Sequence, residues 1–266
     1  MKKWLASLLL LVSPYAFATG FTQNTFTDAP SITYPNPYSS TINITYQLPN
    51  TGTTQTENLY LKSGAAASTQ DPNQLMQLYT DSGLTQPLYG QTINLQGYAD
   101  GNVHTITLYA KYYSSSTNYI SKVGTFNFAI PIYIMSGTTE YSANINGNAS
   151  VTGSCGFIQP SFSANFNMLY GPSTSPVEVA NVGYNCSPGY NPSLTASNQS
   201  VSVSGYGTIN VNVYQDSGAS IPFTTAETLN ATGTNQSVPI YFVFSGNNGS
   251  IPNGTYTANI PLVITY

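Results

Sequence analysis

Between Tyr256 and Tyr266 every second side chain is apolar or aromatic: Tyr256, Ala258, Ile260, Leu262, Ile264 and Tyr266. That period of two is the signature of a strand with one face on a core. A near-copy stands 130 residues earlier, where Gly124-Thr125-Phe126 and Ile130-Pro131-Ile132 answer Gly254-Thr255-Tyr256 and Ile260-Pro261-Leu262. The sequence runs on after the first copy and stops on the second. A β-domain that ends there without closing its sheet keeps an open edge, and another polypeptide could supply the missing strand.

The rest of the chain repeats in the same order. Tyr79-x-Asp81-Ser82-Gly83 with Pro87 recurs as Tyr214-x-Asp216-Ser217-Gly218 with Pro222, an offset of 135, and Val103 is matched to Val238 at the same offset. Short alternating runs punctuated by Gly, Pro, Asn and Ser fill the sequence, and helical periodicity is almost absent. The fold class is all-β: two immunoglobulin-like β-sandwich domains, the second lacking its last strand. The domains are expected over residues 19–140 and 149–266, joined by a linker at 136–148 whose Asn146-Gly147 reads as a turn signal. Residues 139–145 could instead fold back as a strand that closes the first domain. In both Asp-Ser-Gly segments the acid and the serine are expected to bond their own backbone while glycine takes a positive φ, which makes them turns and not catalytic triads.

Residues 1–18 read as a secretory signal, with Lys2 and Lys3 before an apolar run and Ala16-Phe17-Ala18 as the cleavage site. Beyond it the only cations are Lys62, Lys111 and Lys122, against nine acids in the whole chain. So few basic groups argue against nucleic acid, whose phosphates demand them. The two cysteines, Cys155 and Cys186, are read as a disulfide of an exported protein, worth about 3–4 kcal/mol by loop closure. Neither has the neighbours that a metal site requires, so no metal and no cofactor are expected. The single histidine, His104, lies in an alternating strand, with Pro239 at the matching place of the second copy. The acids are scattered at no spacing that suggests a facing pair. The chain reads as a non-enzyme.

The second half resembles the spore coat protein U domain, the module of archaic chaperone–usher pilus subunits. The resemblance rests on Val151-Thr152-Gly153-Ser154-Cys155, Cys186, Val213-Tyr214-x-Asp216 and the terminal strand that begins Gly254-Thr255-Tyr256. The first half carries only the later part of the pattern and no cysteine. The Trp-Gly found after Tyr-x-Asp in many members is absent. The resemblance implies an incomplete sandwich whose groove first takes a strand from a periplasmic chaperone. At the outer-membrane usher a strand from a neighbouring subunit replaces it. Ala258, Ile260, Leu262, Ile264 and Tyr266 would line that groove. An additional N-terminal domain implies the tip subunit of a cell-surface fimbrium, engaged in adhesion and biofilm attachment.

With residues 136–148 taken as a linker, strand counting sends three loops of the first domain to its far end, at 33–40, 63–74 and 112–122. Tyr34, Pro35, Pro37, Tyr38, Tyr112, Tyr113 and Tyr119 would then form surface-binding loops for an abiotic surface or a glycan receptor. Two other roles fit the composition: a non-tip structural pilus or coat subunit, and a secreted carbohydrate-binding sandwich. Residues 19–27 supply only Phe21 and Phe26, on opposite faces, which is a poor donor strand for polymerisation.

Overall fold

The computed structural model describes residues 20–50, 56–159, 163–168, 177–223, 225–246 and 254–266, with backbone only over 164–168. The signal segment expected over 1–18 lies outside the described residues. The fold is all-β; the one described helical turn is the 3-10 segment Gln96–Tyr98. No described helix is long and apolar enough to cross a membrane. The chain divides into two units. The first takes residues 20–30, Pro37–Asn118 and Phe126–Ala149; the second takes Ser31–Asn36, Tyr119–Thr125 and Ser150–Tyr266.

Eleven described strands come first: β1 (Gly20–Phe21), β2 (Thr25–Asp28), β3 (Ser31–Thr33), β4 (Tyr38–Gln47), β5 (Glu57–Tyr60), β6 (Ala66–Ala67), β7 (Gln74–Tyr79), β8 (Thr92–Asn94), β9 (Val103–Ser114), β10 (Gly124–Ser136) and β11 (Thr139–Thr152). One sheet has the order β1-β4-β9-β7-β6 and the other β2-β11-β10-β5-β8, with β3 also on β11. Long strands form where apolar residues alternate: Ile42, Ile44 and Tyr46 point into the core from β4, and Leu108, Ala110 and Tyr112 from β9. Ile130, Ile132 and Ile134 of β10 have no exposed surface at all.

Ten more described strands follow: β12 (Cys155–Phe157), β13 (Ser163–Met168), β14 (Glu178–Cys186), β15 (Ser193–Ala196), β16 (Gln199–Val203), β17 (Gly207–Tyr214), β18 (Glu227–Thr228), β19 (Gln236–Gly246), β20 (Gly254–Asn259) and β21 (Leu262–Thr265). The continuous sheet here is β12-β14-β19-β17-β16. The opposing layer is broken into two pieces, β13-β20 and β18-β15-β21. Val182, Val211, Val213, Ile240, Phe242 and Phe244 from the first layer meet Leu194, Ala258 and Ile260 from the second in one apolar cluster. Cys155 and Cys186 are disulfide-bonded and stand directly opposite each other where β12 pairs with β14.

Four expectations change. Residues 136–148 are not a linker: Gly137-Thr138 turns the chain and β11 returns beside β10 as a full strand of the second sheet, so the alternative of a closing strand over residues 139–145 is the one realised. Asn146-Gly147 is not a turn, because both sit inside β11. Gly147 is required by packing, since a Cβ there would stand 2.5 Å from Met76 Sδ and 2.8 Å from the Tyr112 hydroxyl. Val103 does not match Val238. Tyr109 pairs with Tyr79 and Tyr241 pairs with Tyr214, so the true offset in this strand is 132. His104 accordingly corresponds to Gln236, not to Pro239. In the Asp-Ser-Gly turns the positive φ falls one residue after the glycine, on Leu84 (54°) and Ala219 (50°).

Those turns are otherwise twins. The Asp81 carboxylate accepts the N–H of Gln86 at 2.7 Å, the N–H of Thr85 and the Thr85 hydroxyl. The Asp216 carboxylate accepts the N–H of Ile221 at 2.6 Å, the N–H of Ser220 and the Ser220 hydroxyl. Both carboxyls are held below the usual range. At Asp216 the Ile221 N–H is the largest cause; at Asp81 desolvation is largest and opposes the shift, and the Gln86 and Thr85 donors together outweigh it.

Candidate functional site

The terminal strand of the second unit changes partner halfway. β20 pairs antiparallel with β13 over six residues, from Ser163↔Asn259 to Met168↔Gly254. Ile260-Pro261 then interrupts the ladder. Proline has no N–H to give, but the Pro261 carbonyl accepts the N–H of Ser197, which steers the chain onto β15. β21 pairs with β15, from Leu262↔Ala196 to Thr265↔Ser193. On its other side β21 has no strand partner among the described residues.

Burial follows that arrangement. Ala258 and Ile260 are buried, while Leu262 and Ile264 pack on the same cluster but stay partly open to solvent. Tyr266 is 61% exposed, with its ring 4.9 Å from that of Tyr190. The five positions named for a groove are therefore brought onto one strand, graded from closed to open along its length. Val263 on the opposite face is also exposed.

The first half of the molecule supplies the comparison. By chain order and direction, β13 is the counterpart of β2 and β3: each precedes a long strand of the other sheet (β14 or β4). Each also runs antiparallel to the Gly-Thr-aromatic strand. In the first half β11 lies between them, pairing in parallel with Thr25–Asp28 of β2 and with Ser31–Thr33 of β3. In the second unit nothing described lies between, and β13 sits directly on β20.

The tyrosine-loop residues are divided between the two units. Tyr34, Pro35 and Tyr119 fall in the second unit, where the rings of Tyr34 and Tyr119 meet edge to face at 5.8 Å. Burial, and then Tyr119, raises the pKa of Tyr34. Pro37, Tyr38, Tyr112 and Tyr113 fall in the first unit. Tyr112 is fully buried in β9 and donates its hydroxyl to the Asp28 carboxylate at 2.6 Å, so it is a core residue and not a contact residue. Burial first, then the bond to Asp28, pushes its pKa far up. Tyr113 is half-buried and donates to Gln77 at 3.0 Å; Pro35 and Pro37 are exposed.

The cause is β11. Inserting one more strand reverses the count, because β11 leaves the first unit at Ala149 and the turn Gly137-Thr138 marks the opposite end. That end carries Gln96–Tyr98, tied by Leu95 N–H to the Glu57 carbonyl, and the start of β9 beside Gln47. Tyr98 (50% exposed) and Val103 (59%) protrude there. His104 lies between the Tyr98 and Tyr46 rings, with Nε2 2.7 Å from Asp100 Oδ1. The alternation Leu108-x-Ala110-x-Tyr112 already placed Tyr112 on the inner face, and that signal could have removed it from the loop set.

No protein-family model and no curated protein matches the sequence. Among solved structures, the chain is similar to the tip adhesin CupB6 from Pseudomonas aeruginosa (10% identity, 85% of this chain, 86% of that one, TM-score 0.45). It is also similar to CfaE, the adhesive subunit of CFA/I fimbria of enterotoxigenic Escherichia coli (10%, 92% and 93%, TM-score 0.42). A third is the chaperone–tip subunit pre-assembly complex CsuC–CsuE of Csu pili from Acinetobacter baumannii (11%, 91% and 99%, TM-score 0.40).

Proposed function

We propose that this chain is an exported pilus subunit whose second sandwich accepts a strand from another polypeptide. That strand comes first from a periplasmic chaperone and then, at an outer-membrane usher, from a neighbouring subunit. The first sandwich is its binding module at the fimbrial tip. The observation that carries the reading is one of coverage. Leu262 and Ile264 remain partly exposed on a strand with an open side, whereas Ile132 and Ile134, the same positions in the first copy, are wholly buried beside β11. Covering such aliphatic side chains contributes about 1.5–3 kcal/mol each, enough to couple folding to strand uptake. The spore coat U-like residues from Val151 to Cys155 support the same assignment.

Co-expression with a pilus chaperone tests it. The mature chain should accumulate as a complex in its presence; without it the yield should fall, and the free chain that remains should exchange its β21 amide hydrogens fast. A monomer that stays soluble alone, with slow hydrogen exchange throughout β20 and β21, would sink the proposal. For the binding module, pili carrying Tyr98→Ser with Val103→Ser should assemble normally and lose adhesion.

A glycan as the receptor is favoured by one further feature. A groove of about 430 Å3 on the first unit is lined by Tyr38, Ser39, Ser40, Thr41, Ser82 and Tyr109, hydroxyl groups and two rings without a charge. That lining suits the hydroxyls and apolar face of a neutral sugar. Loss of glycan binding in Tyr109→Ala, with adhesion to bare plastic retained, would separate this reading from adsorption.

A further inference from the structure

The two halves of the acceptor strand are not equally available. β20 is paired along all six residues by β13, and Ser163 Oγ adds a hydrogen bond to the Asn259 side chain at 2.8 Å. β21, four residues long, is paired on the β15 side alone among the described residues. In the first half of the molecule β11 runs along β10 and then passes between β10 and the pair β2 and β3. A strand entering the second sandwich along the same route meets an open edge at β21 and a closed ladder at β20.

Resting on the acceptor function proposed above, we infer that β21 is the landing site for the incoming strand and that β13 is a latch over the rest of the slot. The occupant is an extended segment of the β11 type, with small or β-branched residues at alternate positions, as at Ala143, Ile145, Gly147, Ala149 and Val151. It pairs first with Leu262–Thr265. To reach its full length it must peel β13 from β20 and take over both sets of main-chain hydrogen bonds, one on each side. The exchange conserves pairing: six residues of β13–β20 ladder are lost while ladders to β20 and to β13 are gained. The latch therefore slows uptake and hides the slot from casual strands without reducing the stability of the final complex. An exposed edge is an aggregation hazard, and covering most of it internally is a physical reason for such a device.

The test uses the full mature chain and a fluorescent peptide with the sequence of residues 139–152 as the probe. Asn165 and Thr257 face each other across β13 and β20, within reach of a disulfide in an antiparallel pair. The oxidised Asn165→Cys/Thr257→Cys chain should bind the peptide about a hundredfold more weakly than either single-cysteine control, because only four residues remain to pair. Hydrogen exchange should then slow over β21 alone. Asn165→Pro, which removes a donor from the β13 ladder, should speed uptake by the chain. Equal binding by locked and unlocked chains, or unchanged uptake by Asn165→Pro, would overturn the latch and leave the acceptor reading standing. If the unlocked wild-type chain takes up no peptide, the acceptor reading falls and the latch with it.

Discussion

The same strand occurs twice in this chain and meets two fates. Ile130, Ile132 and Ile134 in the first unit are fully buried; Ile260, Leu262 and Ile264, at an offset of 130, pass from buried to half-open. Their registers agree as well, since Ile134 pairs with Leu59 and Ile264 with Leu194. The difference lies in the neighbour. β10 has β5 on one side and β11 on the other, whereas β21 has only β15 among the described residues. An alternating apolar pattern specifies which face of a strand wants burial; whether it is buried depends on a strand elsewhere in the sequence, or on another chain.

The largest expected effect is a difference between matched substitutions. Ile134→Ala should cost about 2–5 kcal/mol, the range for removing a fully buried aliphatic side chain. Ile264→Ala should cost less than half as much in the free protein, because its side chain is already partly in water. Denaturant unfolding that resolves the two units measures both. Equal losses would break the comparison; a rise in the Ile264 cost once the residue 139–152 peptide is bound would sharpen it.

Next comes the disulfide, which only the second unit possesses. Replacing Cys155 and Cys186 together with Ser should cost the second unit about 2–4 kcal/mol and leave the first transition in place. The bond holds β12 to β14 in the unit whose other layer is broken into two pieces. A shift in both transitions would mean that the units do not unfold separately.

Gly147→Ala follows, at about 1–3 kcal/mol of overpacking, confined to the first unit. The new methyl group would press on Met76 and on Tyr112. No loss of stability would mean that β11 is not seated against β7 and β9 as described.

Much of this was legible in the sequence. The duplicated turns, the alternation of β20 and β21 and the cysteine pair all announce themselves through residues with strong local preferences. β11 was legible only as an alternative, a strand over residues 139–145, and for a physical reason. Its inward positions are Ala143, Ile145, Gly147, Ala149 and Val151, mostly small because large neighbours crowd them, so its alternation is faint and Asn146-Gly147 imitates a turn. Counting residues 136–148 as a linker reversed the strand count, which drew attention away from the end of the first unit that carries Tyr98 and Val103. The β9–β19 correspondence slipped because runs of alternating residues look alike at several offsets; only the Tyr79–Tyr109 and Tyr214–Tyr241 pairings fix it. β13 carries the ordinary alternation of a strand, with Ala164, Phe166 and Met168 between polar residues, but that pattern does not say which strand it will pair with.

The smallest expected effect uses acid. Asp81 and Asp216 both have carboxyls held below their ordinary range by neighbouring N–H and hydroxyl donors. A depressed folded-state pKa contributes stability that is fully present above the unfolded value, near about 3.9, and is lost as pH falls through the folded one. Both units should therefore weaken together below about pH 4. The first unit has two more such groups: Asp100, held low chiefly by its bond to His104 and then by Asn102, and Glu140, held low by its bond to Lys62 and then by Tyr60. Gln236 stands where His104 would be in the second unit, so that pair has no twin. The first transition should fall more steeply with acid than the second. Asp100→Asn together with Glu140→Gln should narrow the excess; an excess undiminished by both substitutions would place its origin elsewhere in the first sandwich.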